Sequence, residues 1–233
     1  MTQTWASVWA ARRLDPSRGS QLAQLMAADG LDTGFGSVSE ESWRAFARRT
    51  SDALGLHPGD RVFEVGCGAG AFLLDLYERG IHVAGLDQSA ALIDMARAAM
   101  PNGAFRVADA SALDEGTRAD VVLACGVFMY FPSLDYARSV IEQMAASASR
   151  AVAVLDVPDV AREAAALAHR RGTLGPDEYA ARYAGLDHQY FSKAWMREVF
   201  EGCGLGDVHV EDQQIPGYAN AAFRFNVFGV SRR

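Results

Sequence analysis

Apolar residues in the middle of the chain come in short, nearly continuous runs at residues 61–65, 82–87, 104–109, 120–125 and 151–156. Each run is five or six residues long and ends at a glycine, an acid or a cysteine, which is the pattern of a strand buried on both faces. Between the runs, apolar positions return at helical spacing over residues 71–79, 90–99 and 134–146, and Pro101 stops the second of these helices. Strand and helix in regular alternation imply right-handed crossovers and a parallel sheet covered on both sides, a doubly wound α/β fold. Residues 207–215 and 223–230 read as two further strands around Pro216-Gly217-Tyr218, and Ser192 caps a helix before them. Upstream, Trp5, Val8 and Trp9 predict a short amphipathic helix that either packs on the domain or covers a substrate. A second short helix follows at 21–28, then an irregular glycine-rich stretch at 32–37. A longer helix at 41–54, capped by Ser39 or Ser42, turns Trp43, Phe46, Ala47 and Leu54 inward.

Composition narrows the class of partner. Half of the 233 residues are apolar and 22% are charged, which suits one soluble globular domain over residues 1–233. A net charge of −7 lacks the basic face that nucleic acid or an anionic membrane surface requires, so a small molecule is the expected partner and neither nucleic acid nor membrane is. Cys67, Cys125 and Cys203 are an odd number without paired spacing, as reduced thiols of a cytoplasmic protein are. The N-terminus lacks the order of a secretion signal, and the longest apolar run, 121–131, falls short of the roughly 20 residues that span a bilayer. The oligomeric state is not legible.

The chemistry concentrates where the first strand meets its helix, in Val62-Phe63-Glu64-Val65-Gly66-Cys67-Gly68-Ala69-Gly70. Alternating glycines allow tight turns and let a ligand approach main-chain N–H groups at the carboxyl edge of the sheet. Gly66-x-Gly68-x-x-Ala71 by itself also fits a dinucleotide fingerprint. Glu64 and Gly70 extend it to Glu-x-Gly-x-Gly-x-Gly, which resembles motif I of the class I S-adenosylmethionine-dependent methyltransferases. Gly85-Leu86-Asp87, Ala108-Asp109-Ala110 and Ala119-Asp120-Val121-Val122-Leu123 follow at the intervals of that family, and the resemblance runs from about residue 43 to 230. The short-chain nicotinamide enzymes use Tyr-x-x-x-Lys, whereas the only lysine here, Lys193, has Gln189 four residues before it.

The resemblance implies a Rossmann-like sheet of seven strands, mostly parallel with a reversed C-terminal hairpin strand, and S-adenosylmethionine as cofactor. It implies that Glu64 serves the amino-acid end and that Gly66, Cys67, Gly68 and Gly70 cradle the ligand. Asp87, with Gln88 beside it, accepts from the ribose hydroxyls. Asp109 and the Ala110 N–H meet the adenine, and Cys125 borders the sulfonium. A merely capping role for Asp87 is the alternative, although Ser89 already suits it.

The chain has no Asn/Asp-Pro-Pro-Tyr after strand four, no Pro-Cys nucleophile, and none of the acids that hold metal in catechol-type enzymes. The expectation is a metal-independent transferase acting on a small molecule, most readily on a hydroxyl or carboxylate oxygen. N-methylation is the near variant, and a cofactor-binding scaffold without turnover is the reading from another class. The expected layout is an N-terminal lid over 1–40, a cofactor-binding core over 41–158, an acceptor-covering insertion over 159–190, and a last helix with hairpin over 191–233. His188 is a candidate general base or a plain loop hydrogen-bonder. Tyr130 is a candidate aromatic wall against the sulfonium. Arg224 is a candidate carboxylate anchor or a solvated surface arginine.

Overall fold

The computed structural model describes residues 4–31, 38–113 and 116–232; the glycine-rich stretch expected at 32–37 lies outside them. Seven strands form one sheet in the order β3-β2-β1-β4-β5-β7-β6, where β1 is Arg61–Val65, β2 His82–Asp87, β3 Ala104–Val107, β4 Ala119–Cys125, β5 Ala148–Pro158, β6 Leu205–Asp212 and β7 Arg224–Ser231. β1 to β5 are parallel, and β7 runs antiparallel between β5 and β6. The order reverses between β1 and β4, so a crevice opens at their carboxyl ends, the place where such sheets bind ligands.

The two faces are sorted by residue parity. Along β4, Val121 and Leu123 join one apolar cluster while Val122 and Ala124 join the other. The first cluster is roofed by α2 (Gln21–Ala28), α3 (Glu40–Ala53), α4 (Leu73–Glu78) and α5 (Ala90–Ala99), the second by α6 (Leu134–Ser147) and α9 (Lys193–Gly202). Ser39, not Ser42, caps α3, since the Ser42 N–H donates to its hydroxyl at 3.1 Å. In β5 the parity breaks. Ala151, Ala153 and Leu155 face one cluster and Val152 and Val154 the other, yet Val157 returns to the face of Val154. The cause is a bulge: β5 advances from Val154 to Val157 while β7 moves only from Val227 to Phe225. The extra residue is absorbed around Asp156, which adopts a left-handed φ of +58° that aspartate tolerates better than most side chains.

Several element boundaries differ from the sequence pattern, among them β6, which runs over Leu205–Asp212 and not 207–215. β3 stops at Val107 because Asp109 accepts the Ser111 N–H at 2.9 Å, an Asx turn that pulls the chain out of the ladder. β5 starts at Ala148, directly against α6, since the Ala- and Ser-rich junction holds neither glycine nor proline to mark a stop. The helix after the glycine loop starts two residues late, at Leu73. The segment after β5 folds into α7 (Glu163–Leu174) and α8 (Pro176–Tyr183), and the first residues form α1 (Trp5–Ala10), capped by Thr4. No helix among the described residues is long and apolar enough to cross a membrane.

Candidate active site

One end of the crevice is made by main chain. The N–H groups of Gly66 and Cys67 both donate to the Leu86 carbonyl, at 2.8 and 2.9 Å, which ties the glycine loop to the last turn of β2. Gly66 and Gly68 hold φ of +70° and +54°, conformations in which a side chain is strained, and a Cβ on Gly68 would stand 2.3 Å from Asp29 Oδ1. Asp87 Oδ2 accepts the Gly68 N–H at 3.0 Å and Oδ1 the Ser89 N–H at 2.8 Å. Its carboxylate therefore braces the loop, and each oxygen keeps a second lone pair for a ligand. Gln88, Asp109 and Ala110 line the same cavity, and Asp109 also accepts from the hydroxyls of Ser111 and Tyr136.

Asp29 escapes sequence reasoning. It stands at the end of α2, yet its two oxygens accept the Ala69 and Ala71 N–H groups at 2.6 and 3.0 Å, forty residues downstream. Nothing local in the sequence marks it. Burial pushes its carboxyl up to about 7, against the pull of those two main-chain bonds and with help from nearby Asp87. Burial, then the charges of Asp29 and Asp87, hold Glu64 well above the usual carboxylate range, and burial raises Asp87 as well. Glu64 Oε2 is buried without a hydrogen-bond partner. Three carboxyls crowded into a water-poor corner make a site that gains from an incoming cation. Cys67 and Cys125 stay thiols, their ionisation pushed up first by burial and then by Glu64.

The other end is made by side chains from distant segments. Trp5 of α1 donates its indole N–H to the Asp187 carbonyl at 3.0 Å, stacks on His188 at 4.9 Å between ring centroids, and meets Tyr130 at 4.7 Å. Trp9 packs on Tyr130 from the same helix, and the Ser89 hydroxyl donates to its carbonyl. Arg170 of α7 donates to His188 Nδ1 at 2.8 Å and to the Tyr190 hydroxyl. Arg224, the first residue of β7, is buried and donates to the Met129 sulfur and the Asp156 carbonyl. Asp156 accepts from the Tyr218 hydroxyl at 3.0 Å, and Asn226, fully buried beside it, accepts the Asp156 N–H. The cavity measures about 910 Å³, at the upper end of the ~300–1,000 Å³ usual for small ligands.

This geometry sharpens the three catalytic candidates. A guanidinium cannot accept a hydrogen bond, so His188 Nδ1 is the acceptor and its proton sits on Nε2, which is buried and unpartnered. Burial and then the positive charges of Arg224 and Arg170 push the His188 imidazole well below its usual range. It is a neutral hydrogen-bond donor rather than a proton acceptor. Tyr130 lines the cavity as expected of an aromatic wall, with its phenol raised by burial and therefore un-ionised. Arg224 is not a solvated arginine. Burial works against its charge, but Asp156 together with Tyr218, Tyr130 and Tyr190 more than offsets burial and keeps it protonated.

Residues 62–151 match the family model described as a methyltransferase domain. A 23S rRNA (uracil(1939)-C(5))-methyltransferase of Alkalilimnicola ehrlichii is 32% identical over 171 residues, covering 69% of this chain and 37% of that protein. Demethylmenaquinone methyltransferase of Beutenbergia cavernae is 36% identical over 70 residues, covering 30% of this chain and 29% of that one. The chain spans 18% to 37% of the length of the curated relatives it matches. Among solved structures, magnesium protoporphyrin IX methyltransferase from Synechocystis, with bound S-adenosylhomocysteine, superposes at a TM-score of 0.59 with 18% identity over 82% of each chain. The glycine loop, the strand order with its reversed seventh strand and the matched segment agree: residues 62–151 are similar to a methyltransferase domain, and the chain has the fold of the magnesium protoporphyrin IX methyltransferase on which it superposes.

Proposed function

We propose that the chain transfers the methyl group of S-adenosylmethionine to an oxygen of a small-molecule acceptor in the cytoplasm. The observation that carries this reading is one continuous cavity with an acidic, main-chain-built end and an aromatic, arginine-lined end, large enough for cofactor and acceptor together. The acidic end fits the cofactor chemically. Glu64, with its unpartnered oxygen, and Asp29 suit an ammonium group, and Asp87 retains lone pairs for hydroxyls. Asp109 and the Ala110 N–H suit a purine edge and ring. When bound, S-adenosylmethionine supplies a methyl group already activated on a sulfonium.

What remains for the protein is to align the acceptor and keep water out, which accounts for much of the rate in such a displacement. Trp5, Trp9 and Tyr130 wall the aromatic end, and the face of Tyr130 suits a nearby cation by roughly 0.5–2 kcal/mol. The cavity argues for turnover over a scaffold role, because a scaffold has no use for open space beyond the cofactor. The net charge of −7 favours a small molecule over RNA, even though two of the relatives act on ribosomal RNA.

Calorimetric titration with S-adenosylmethionine, S-adenosylhomocysteine and NAD tests the cofactor directly. Micromolar binding of both adenosyl ligands, weakened about 10- to 100-fold by Asp87→Ala, is the expected result. Binding of NAD alone sinks the reading.

A further inference from the structure

We infer that the acceptor carries a carboxylate, held at the arginine-lined end of the cavity by Arg224, Arg170 and the Nε2–H of His188. Arg170 and Arg224 are 7% and 8% exposed, and both line the cavity. Buried guanidiniums almost always have an anionic partner, because an uncompensated charge in a water-poor interior is costly. Neither has one in contact. Arg170 donates to an imidazole and a phenol, Arg224 to a thioether and a carbonyl, and neither forms an ion pair with a carboxylate among the described residues.

Arg170 and Arg224 bring two positive charges and His188 is neutral; Asp156 is the carboxylate acting on Arg224, while Glu163 acts on Tyr190, the phenol that Arg170 holds, and touches neither guanidinium. The nearby acids Asp29, Glu64 and Asp87 belong to the glycine-loop end, where they suit a cation of their own. His188, in contact with Arg170 and within the field of Arg224, presents a buried N–H with no partner. Two guanidiniums and one neutral N–H donor are the equipment of an oxyanion site, with Asp156 offsetting part of their charge. Trp5 stacked on His188, with Tyr130 across from both, gives this pocket flat apolar walls, which suits an aromatic acid over an aliphatic one. Such an acceptor arrives already ionised. Its carboxylate is itself the methylated oxygen, a nucleophile that needs no general base, which suits a site where His188, with Nδ1 occupied by Arg170, offers none.

The inference rests on the methyltransferase reading, and the two fail separately. Benzoate and its neutral isostere benzamide are titrated into the protein with and without saturating S-adenosylhomocysteine. Benzoate is expected to bind, and benzamide to bind at least about tenfold more weakly. Arg224→Met is expected to weaken benzoate by about tenfold or more and Arg224→Lys to recover most of that loss, since lysine keeps the charge. Arg170→Met, checked by circular dichroism, supplies an independent variant should Arg224→Met fail to fold. No heat with benzoate at about 20 mM, a concentration that reveals even millimolar affinity, overturns the inference, as does equal binding of benzamide or indifference of benzoate to both arginine variants. Failure of S-adenosylhomocysteine to bind overturns the cofactor reading instead, and the benzoate arms without it still decide the anion site.

Discussion

The two ends of the cavity are built in different ways. The cofactor end is made of backbone: the left-handed glycines of the β1–α4 loop, two N–H groups on the Leu86 carbonyl, and Asp29 and Asp87 clamping that loop from either side. The acceptor end is made of side chains that meet only in three dimensions. Trp5 reaches Asp187 across 182 residues, Arg170 reaches His188 from another helix, and Arg224 arrives on the last strand. Backbone geometry tolerates little change, because a turn either forms or does not. A side-chain wall can be re-cut one residue at a time. One end is therefore suited to a fixed ligand and the other to an acceptor that differs between relatives.

The comparison breaks most severely at Gly68. A methyl group there would stand 2.3 Å from Asp29 Oδ1 in a backbone conformation that costs alanine about 1–2 kcal/mol. Gly68→Ala should expel the Asp29 carboxylate, lose two main-chain hydrogen bonds and reduce S-adenosylhomocysteine affinity by about 100-fold or more in calorimetry. A smaller loss in that variant would mean that the loop is not rigid and that the two ends are less different than they look. Trp5→Ala addresses the other end. Removing an indole that stacks on His188 and contacts Tyr130 should weaken benzoate about tenfold and leave S-adenosylhomocysteine within about twofold. Equal losses for both ligands would show that α1 serves the whole cavity instead of the acceptor alone.

The smallest effect is in pH. Asp29 titrates at about 7 in the folded chain and near 3.8 when unfolded, because burial disfavours its charge. The folded state thus holds this proton more tightly. The stability it contributes is full below about pH 4 and is lost as pH rises through 7. Binding of a cation runs the other way, since it favours ionised Asp29. S-adenosylmethionine affinity should rise severalfold between pH 6 and 8, approximately in step with that ionisation, and Asp29→Asn should flatten the rise. An unchanged slope in the variant would assign the pH effect to Glu64 or Asp87.

The same division decides what the sequence disclosed. Strands β1, β2 and β4, the glycine loop, Asp87 and Asp109 were legible because each is written in a few consecutive residues whose chemistry is local. Asp29 was not, since its role depends on where α2 lands against a loop forty residues away. Asp156 was hidden for a related reason: a bulge re-aims it, and strand periodicity assumes that no residue is added. His188 was found as a residue, a candidate base or a loop hydrogen-bonder, but its proton was not legible. Its tautomer is dictated by Arg170, and no spacing rule connects a helix residue to a loop eighteen positions later. Arg224 and Asn226 share one face of the last strand by alternation, but only the packed sheet buries both and brings Arg224 to the cavity.

The position of β7 between β5 and β6 carries a consequence for synthesis. A nascent chain on the ribosome presents β1 through β5 and the glycine loop before β7 exists. The sheet cannot close until β7 emerges and slips in against β5 from the opposite direction, and Arg224 emerges as its first residue. A translation product that stops before β7 would carry every residue of the glycine loop and lack both the strand that closes the sheet and the arginine at the other end of the cavity.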